Sequence, residues 1–145
     1  MKTTEEPIVV EETFNCSLAA LWNAVTDRDQ MVQWFFTDIP AFSPEVGFYT
    51  EFMVDAGERQ FLHQWEITDS IPGEKVAYRW RYAGYAGAAQ SVFQLGGVDG
   101  AACLRIDFPV EEDFPEEVPE FTREACEGGW TYFMGQLKNF VEDQA

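Results

Sequence analysis

The chain has 145 residues and sets 26 acidic residues against 9 basic ones, a formal net charge of −17. Such an excess repels phosphate backbones and anionic lipid surfaces, so nucleic acid and membranes are not expected partners. Hydrophobic residues at 46% and aromatic residues at 16% exclude a disordered chain, and 13 Phe, 5 Trp and 5 Tyr point to an aromatic-rich core or a lined cavity.

In chain order, "PIVVEETF" (Pro7 to Phe14) reads as a first strand with Ile8, Val10 and Phe14 on one parity. Glu12 shares that parity and is either a second inward polar group or a solvated one. Ser17 is placed to cap a short helix whose apolar face is Leu18, Leu21, Trp22 and Val25, at i, i+3, i+4 and i+7. Thr26 or Asp27 can cap a second short helix running through Val32. The stretch "QWFFTDIPAFSPEVG" then breaks into loop around Pro40, Pro44 and Gly47.

Strand-like runs follow in series. "GFYTEFMV" puts Phe48, Thr50, Phe52 and Val54 on one face, and "RQFLHQWEI" puts Phe61, His63, Trp65 and Ile67 together. "KVAYRWRY" alternates Val76, Tyr78, Trp80 and Tyr82 with Ala77, Arg79 and Arg81. "SVFQL" and "CLRIDF" add Phe93, Leu95, Leu104, Ile106 and Phe108. The intervening "DAGE", "IPGE", "AGYAG" and "GGVDG" are turn sequences, so the runs form an antiparallel meander with one aromatic and one charged face.

The acidic loop "PVEEDFPEEVPE" leads, with Pro119 suited to a first turn, into a long final helix. Phe133, Leu137 and Phe140 mark its main stripe, widened by Cys126, Trp130, Met134 and Val141. One long helix and one curved sheet, each with an apolar face, must pack together, which gives an α+β fold. That helix also carries Gly128, Gly129 and Gly135, although each interior glycine costs about 1 kcal/mol relative to alanine. Either a neighbour approaches closely there or volume is left open.

No run approaches the roughly 20 apolar residues of a membrane span. "MKTTEEPIVV" lacks the basic and apolar regions of a signal peptide, and the odd set Cys16, Cys103 and Cys126 has no CxxC pair. The expectation is a cytoplasmic chain forming one domain over residues 1–145, with inert thiols. A single histidine precludes a His-based metal cluster, and there is no G-x-S-x-G, P-loop or Rossmann glycine pattern, so neither a catalytic set nor a cofactor is predicted.

In order and spacing, "LAALWNAVTDRDQMVQWF", Gly47, "EITDSIPGEKVAYRWRY" and "GGWTYFMGQLKNFVE" resemble the START-like, or Bet v 1-like, helix-grip superfamily. Within it the chain is similar to the single-domain activator of Hsp90 ATPase homologues, from about Ile8 to Glu142. The resemblance implies a curved antiparallel sheet wrapped around the C-terminal helix, two short helices after the first strand, and a ligand cavity between sheet and helix. It also implies a chaperone as an alternative partner, although the basic contact motif of the Hsp90 co-chaperone has no counterpart here.

The residues expected to line the space between sheet and helix are Trp34, Phe48, Phe52, Trp65, Trp80, Phe93, Trp130, Phe133 and Met134, with Gly129 leaving room among them. Thr50, His63, Tyr78 and Ser91 would supply the few polar anchors that apolar pockets carry. His63, inward among aromatics, is either such an anchor (or an acid or base) or a hydrogen-bonded core residue. The functional expectation is a binding protein for a small hydrophobic or aromatic ligand.

Overall fold

The computed structural model describes residues 1–143. Strand β1 (Ile8–Phe14) is followed by helices α1 (Leu18–Thr26) and α2 (Arg28–Trp34). Strands β2 (Tyr49–Asp55), β3 (Gln60–Ile71), β4 (Lys75–Tyr82), β5 (Ala88–Val98), β6 (Ala101–Phe108) and β7 (Val110–Glu112) come next. A 3₁₀ turn (Pro119–Phe121) then leads into α3 (Arg123–Asp143).

Alternation along each strand decides which face meets the helix. Phe61, His63, Trp65 and Ile67 of β3 are all buried, as are Val76, Tyr78 and Trp80 of β4. Successive strands pair antiparallel in the order β1-β6-β5-β4-β3-β2, with β7 added beside β5. A register shift at Thr68 bends β3 against β4, and the Thr68 hydroxyl bonds the Ala77 carbonyl at 3.3 Å and Gln90 Oε1 at 2.8 Å. The sheet thus curves around α3, whose buried stripe is Trp130, Met134, Leu137 and Val141. This is the expected α+β helix-grip architecture.

Local signals behave as their chemistry dictates, with a few differences. The Ser17 hydroxyl caps α1 by accepting from the Ala20 amide at 3.1 Å. Asp27 stands at the cap of α2 without a side-chain bond. Part of the acidic loop is a strand, because Val110 and Glu112 pair with Ala89 and Ala88 at the start of β5. Pro119 opens the separate 3₁₀ turn instead of the long helix, whose first turn is capped by Thr122 Oγ1 accepting from the Ala125 amide at 3.3 Å. Glu12 is half-buried, with its carboxylate 3.8 Å from Lys138 Nζ.

The three helix glycines resolve differently from one another. A Cβ added at Gly128, Gly129 or Gly135 would meet no atom within 4 Å, so no close approach demands them. Gly128 and Gly135 face solvent, whereas Gly129 faces inward space. Gly87 is the opposite case: at φ +111° an added Cβ would lie 2.3 Å from the Phe114 ring. Gly87→Ala should therefore cost more than about 2 kcal/mol through backbone strain and overpacking. Gly128→Ala should instead add about 0.5–1 kcal/mol. Urea unfolding of the two variants checks both signs.

Candidate functional site

β3 and β4 set three side chains at one end of the concave face. In the pairing register Phe52 lies opposite His63, His63 opposite Tyr82, and Trp65 opposite Trp80. Across from them α3 presents Cys126, Gly129, Trp130 and Phe133, at i, i+3, i+4 and i+7, which is one helical face. Between these two walls lies a cavity of about 210 Å³. His63, Trp80 and Tyr82 form its sheet wall, and Ala125 together with that helix face forms the other. Phe36, Glu120 and Met1 complete the lining, and the hollow is partly open to solvent.

The aromatic walls meet at ring-centroid distances suited to tilted and edge contacts. Trp80 lies 5.6 Å from Trp130, and Phe36 lies 4.9 Å from Phe133 and 5.0 Å from His63. A second hollow, of about 560 Å³, is a groove on the outer side of β1, β5 and β6 among Glu11, Gln94 and Arg105. No unpartnered buried polar group belongs to that groove, so the aromatic cavity is the candidate site.

Its aromatic walls carry three titratable side chains, His63, Tyr82 and Cys126, that stay neutral near neutral pH. A carbonyl oxygen can only accept, so His63 Nδ1, 3.1 Å from the Phe61 carbonyl, carries a proton and leaves Nε2 as the acceptor of the neutral ring. Burial disfavours the imidazolium and lowers the His63 pKa to about 4, against the opposing pull of that carbonyl. Burial also pushes the Cys126 thiol up to about 12 and raises the Tyr82 phenol, so neither ionises. Glu120 at the rim accepts from Arg59 at 3.2 and 3.3 Å and is thereby neutralised.

Among the described residues four buried polar atoms lack a hydrogen bond of good geometry, Trp65 Nε1, Tyr78 Oη, Trp80 Nε1 and Ser91 Oγ, and of these Trp80 Nε1 is directed toward the Tyr82 phenol. Each such orphan costs about 1–3 kcal/mol. They occupy adjoining inward positions, since Trp65 pairs with Trp80 and Tyr78 pairs with Ser91 across neighbouring strands. Trp34, by contrast, is satisfied, donating from Nε1 to the Ala24 carbonyl at 2.7 Å.

Of the residues the sequence singled out, the cavity brings together His63, Trp80, Gly129, Trp130 and Phe133. Trp34, Phe52, Trp65, Tyr78, Ser91, Phe93, Met134 and Thr50 are buried outside its lining, and Phe48 is half-buried beside Phe42. Tyr82 and Cys126 were legible as inward positions by strand parity and helix spacing. Phe36 sits in a segment without periodicity. Met1 and Glu120 arrive through contacts distant in sequence, as where the Met1 amine donates to the Phe121 carbonyl at 3.1 Å. Among the described residues no group of three or more His, Cys, Asp or Glu side chains could hold a metal ion.

A sheet gripping a long helix, with an aromatic cavity between them, defines a helix-grip protein of a kind consistent with ligand binding. Residues 15–142 match the model of the family described as activator of Hsp90 ATPase homolog 1-like protein, and the chain belongs to that family. No curated protein matches it in sequence. Among solved structures it is similar to protein MLL2253 from Mesorhizobium loti, at 20% identity and a TM-score of 0.77 over 96% of this chain and 98% of that one. The Aha1 dimer from Colwellia psychrerythraea is similar at 22% identity and a TM-score of 0.72, over 95% and 97% of the two chains. DynU16, a protein of the dynemicin biosynthetic locus, is 23% identical with a TM-score of 0.71 over 95% of this chain. This chain spans about half the length of DynU16, 48%. These likenesses are ones of fold. Among the described residues no helix is long and apolar enough to cross a membrane.

His63 makes stability depend on pH in a window of its own. Its folded pKa lies below the unfolded value of about 6.5, so the unfolded chain binds more protons between the two. The stabilisation is complete above about pH 6.5 and is lost as pH falls toward about 4. Between pH 7 and pH 5 the loss should be about 2 kcal/mol, before most carboxylates titrate. Urea unfolding should show this slope in the native protein and a flattened one in His63→Phe. A flat native profile would place the ring in solvent.

Proposed function

We propose that this protein binds a small neutral aromatic molecule between its sheet and α3. The observation that carries the reading is an aromatic-walled cavity of about 210 Å³ in which Glu120 is paired with Arg59 and the Met1 ammonium is held by the Phe121 carbonyl. An engineered apolar cavity of about 150 Å³ suffices to bind benzene, so this one suits a ligand of one or two rings. No lysine or arginine is free to meet an anion, since each of the 9 lies within 4 Å of a carboxylate at the surface, and the one cation in the lining, the Met1 ammonium, donates to the Phe121 carbonyl. The same pairing speaks against a free basic surface for chaperone docking. Catalysis is the weaker reading, because His63 with a pKa of about 4 is a poor base and burial holds the Cys126 thiol and the Tyr82 phenol in their neutral forms.

1-Aminonaphthalene, whose emission brightens and shifts to the blue in apolar surroundings, should bind one-to-one. Gly129→Leu fills the cavity from a position where the added Cβ meets nothing, and should weaken binding at least about tenfold, or about 1.4 kcal/mol. Gly135→Leu, facing solvent on the same helix, should leave binding unchanged. Equal affinity in the two variants would contradict the placement.

A further inference from the structure

We infer that on ligand entry the cavity opens inward from Trp80 onto a hydrogen-bonding floor that adds Trp65, Tyr78 and Ser91, and that its ligand is an aromatic ketone whose oxygen accepts from that floor. The inference rests on the ligand-binding reading above and adds a chemical class and an inner boundary to it.

Trp80 joins the two spaces, since it lines the cavity beside Tyr82, toward whose phenol its indole N–H is directed, and its ring meets that of Trp65. From there the row is continuous. The Trp65 ring lies 5.1 Å from that of Trp80, Tyr78 lies 4.8 Å from Trp65, and Ser91 stands opposite Tyr78 on β5. All four side chains are at most 5% exposed. Native interiors seldom leave four neighbouring polar groups without a hydrogen bond of good geometry, and a binding surface in its closed state accounts for them.

The atoms specify the partner. Indole N–H groups only donate, while hydroxyls donate or accept, so the complement is an acceptor. A carboxylate or phosphate is disfavoured at the floor, because burying an anion needs a cation, every lysine and arginine is paired at the surface, and the Met1 ammonium lines the outer cavity and not the floor. A neutral carbonyl on a flat ring system meets both requirements, with the ring taking the aromatic cavity.

Three phenylalanines from the segment joining α2 to β2 cover the row. Phe35 lies 5.5 Å from Trp65, Phe36 lies 5.9 Å from Trp80, and Phe42 lies 5.8 Å from Tyr78. Residues 35–48 contain no helix or strand. They are held where Arg28 Nε donates to the Ile39 carbonyl at 2.9 Å, and where the Gly47 amide donates to the Ile67 carbonyl at 2.9 Å. Phe36 and Phe42, the two half-buried rings of the three, must turn aside when the ligand enters, while both anchors and the strand ladder stay intact.

A matched pair of probes tests this: 2-acetylnaphthalene and 2-ethylnaphthalene, alike in rings and size and different in the carbonyl. In competition with 1-aminonaphthalene the ketone should bind at least tenfold tighter, although the hydrocarbon is the more hydrophobic of the two. Tyr78→Phe and Ser91→Ala each delete one oxygen and should reduce that preference below threefold, with hydrocarbon affinity unchanged. In NMR spectra the Trp65 and Trp80 indole protons should move downfield with the ketone only. Equal binding of the two probes, or a preference that survives both substitutions with the indole signals unmoved, overturns the floor and leaves the outer cavity standing. Failure of both probes to bind overturns the ligand-binding reading and this inference together.

Discussion

Trp130 meets the sheet through rings, and the geometry of that meeting governs the interior. Its ring centroid lies 5.6 Å from Trp80, 5.9 Å from Phe93, 5.6 Å from Phe108 and 5.9 Å from Phe35. All are tilted or edge contacts, the arrangements aromatic quadrupoles prefer. Flat, rigid plates held at such angles inside a curved sheet cannot fill a wedge as branched aliphatic side chains do. Where Gly129 withholds a side chain next to Trp130, the unfilled wedge becomes the cavity. The packing that holds α3 in the sheet therefore also creates the space.

Charge is sorted to match. On the outer face Arg79 pairs with Glu66 and Glu111, Arg81 with Glu112, and Arg105 with Glu11 and Asp107. Exposed pairs of this kind contribute little to stability, about 0–1 kcal/mol each. Their consequence is that the lysines and arginines are used up on an acidic surface while the polar side chains at the centre of the inner face, Thr50, His63, Tyr78 and Ser91, are neutral. His63 belongs to that inner set. It stacks on Phe52 at 5.3 Å, meets Tyr82 edge-on at 4.8 Å, and stays neutral because of its burial.

Strand parity and helix spacing made most of the fold legible in the sequence. The inward sets of β2, β3, β4 and β6 follow from simple alternation, and the face of α3 follows from its 3.6-residue period. Half of the site was legible for the same reason, since His63, Trp80, Trp130 and Phe133 sit on periodic elements. Periodicity shows that a side chain points inward, but not whether it meets another ring or open space. Trp65 and Phe93 are thus indistinguishable in pattern from Trp80, yet only Trp80 reaches the cavity. Phe36 and Glu120 escaped because the segments that carry them have no repeating pattern. The orphaned state of Tyr78 and Ser91 emerges only when the strands are paired and no partner is found within reach.

The central claim is that the space bounded by Trp80, Trp130 and Phe133 holds the ligand. Isotope-filtered NMR on the complex with 1-aminonaphthalene tests it most directly, by locating the probe through nuclear Overhauser contacts. Contacts are expected from its ring protons to the indole N–H or ring protons of Trp80 and Trp130. Contacts confined to exposed side chains such as Tyr132 or Met53, with the Trp80 and Trp130 signals silent, would contradict it.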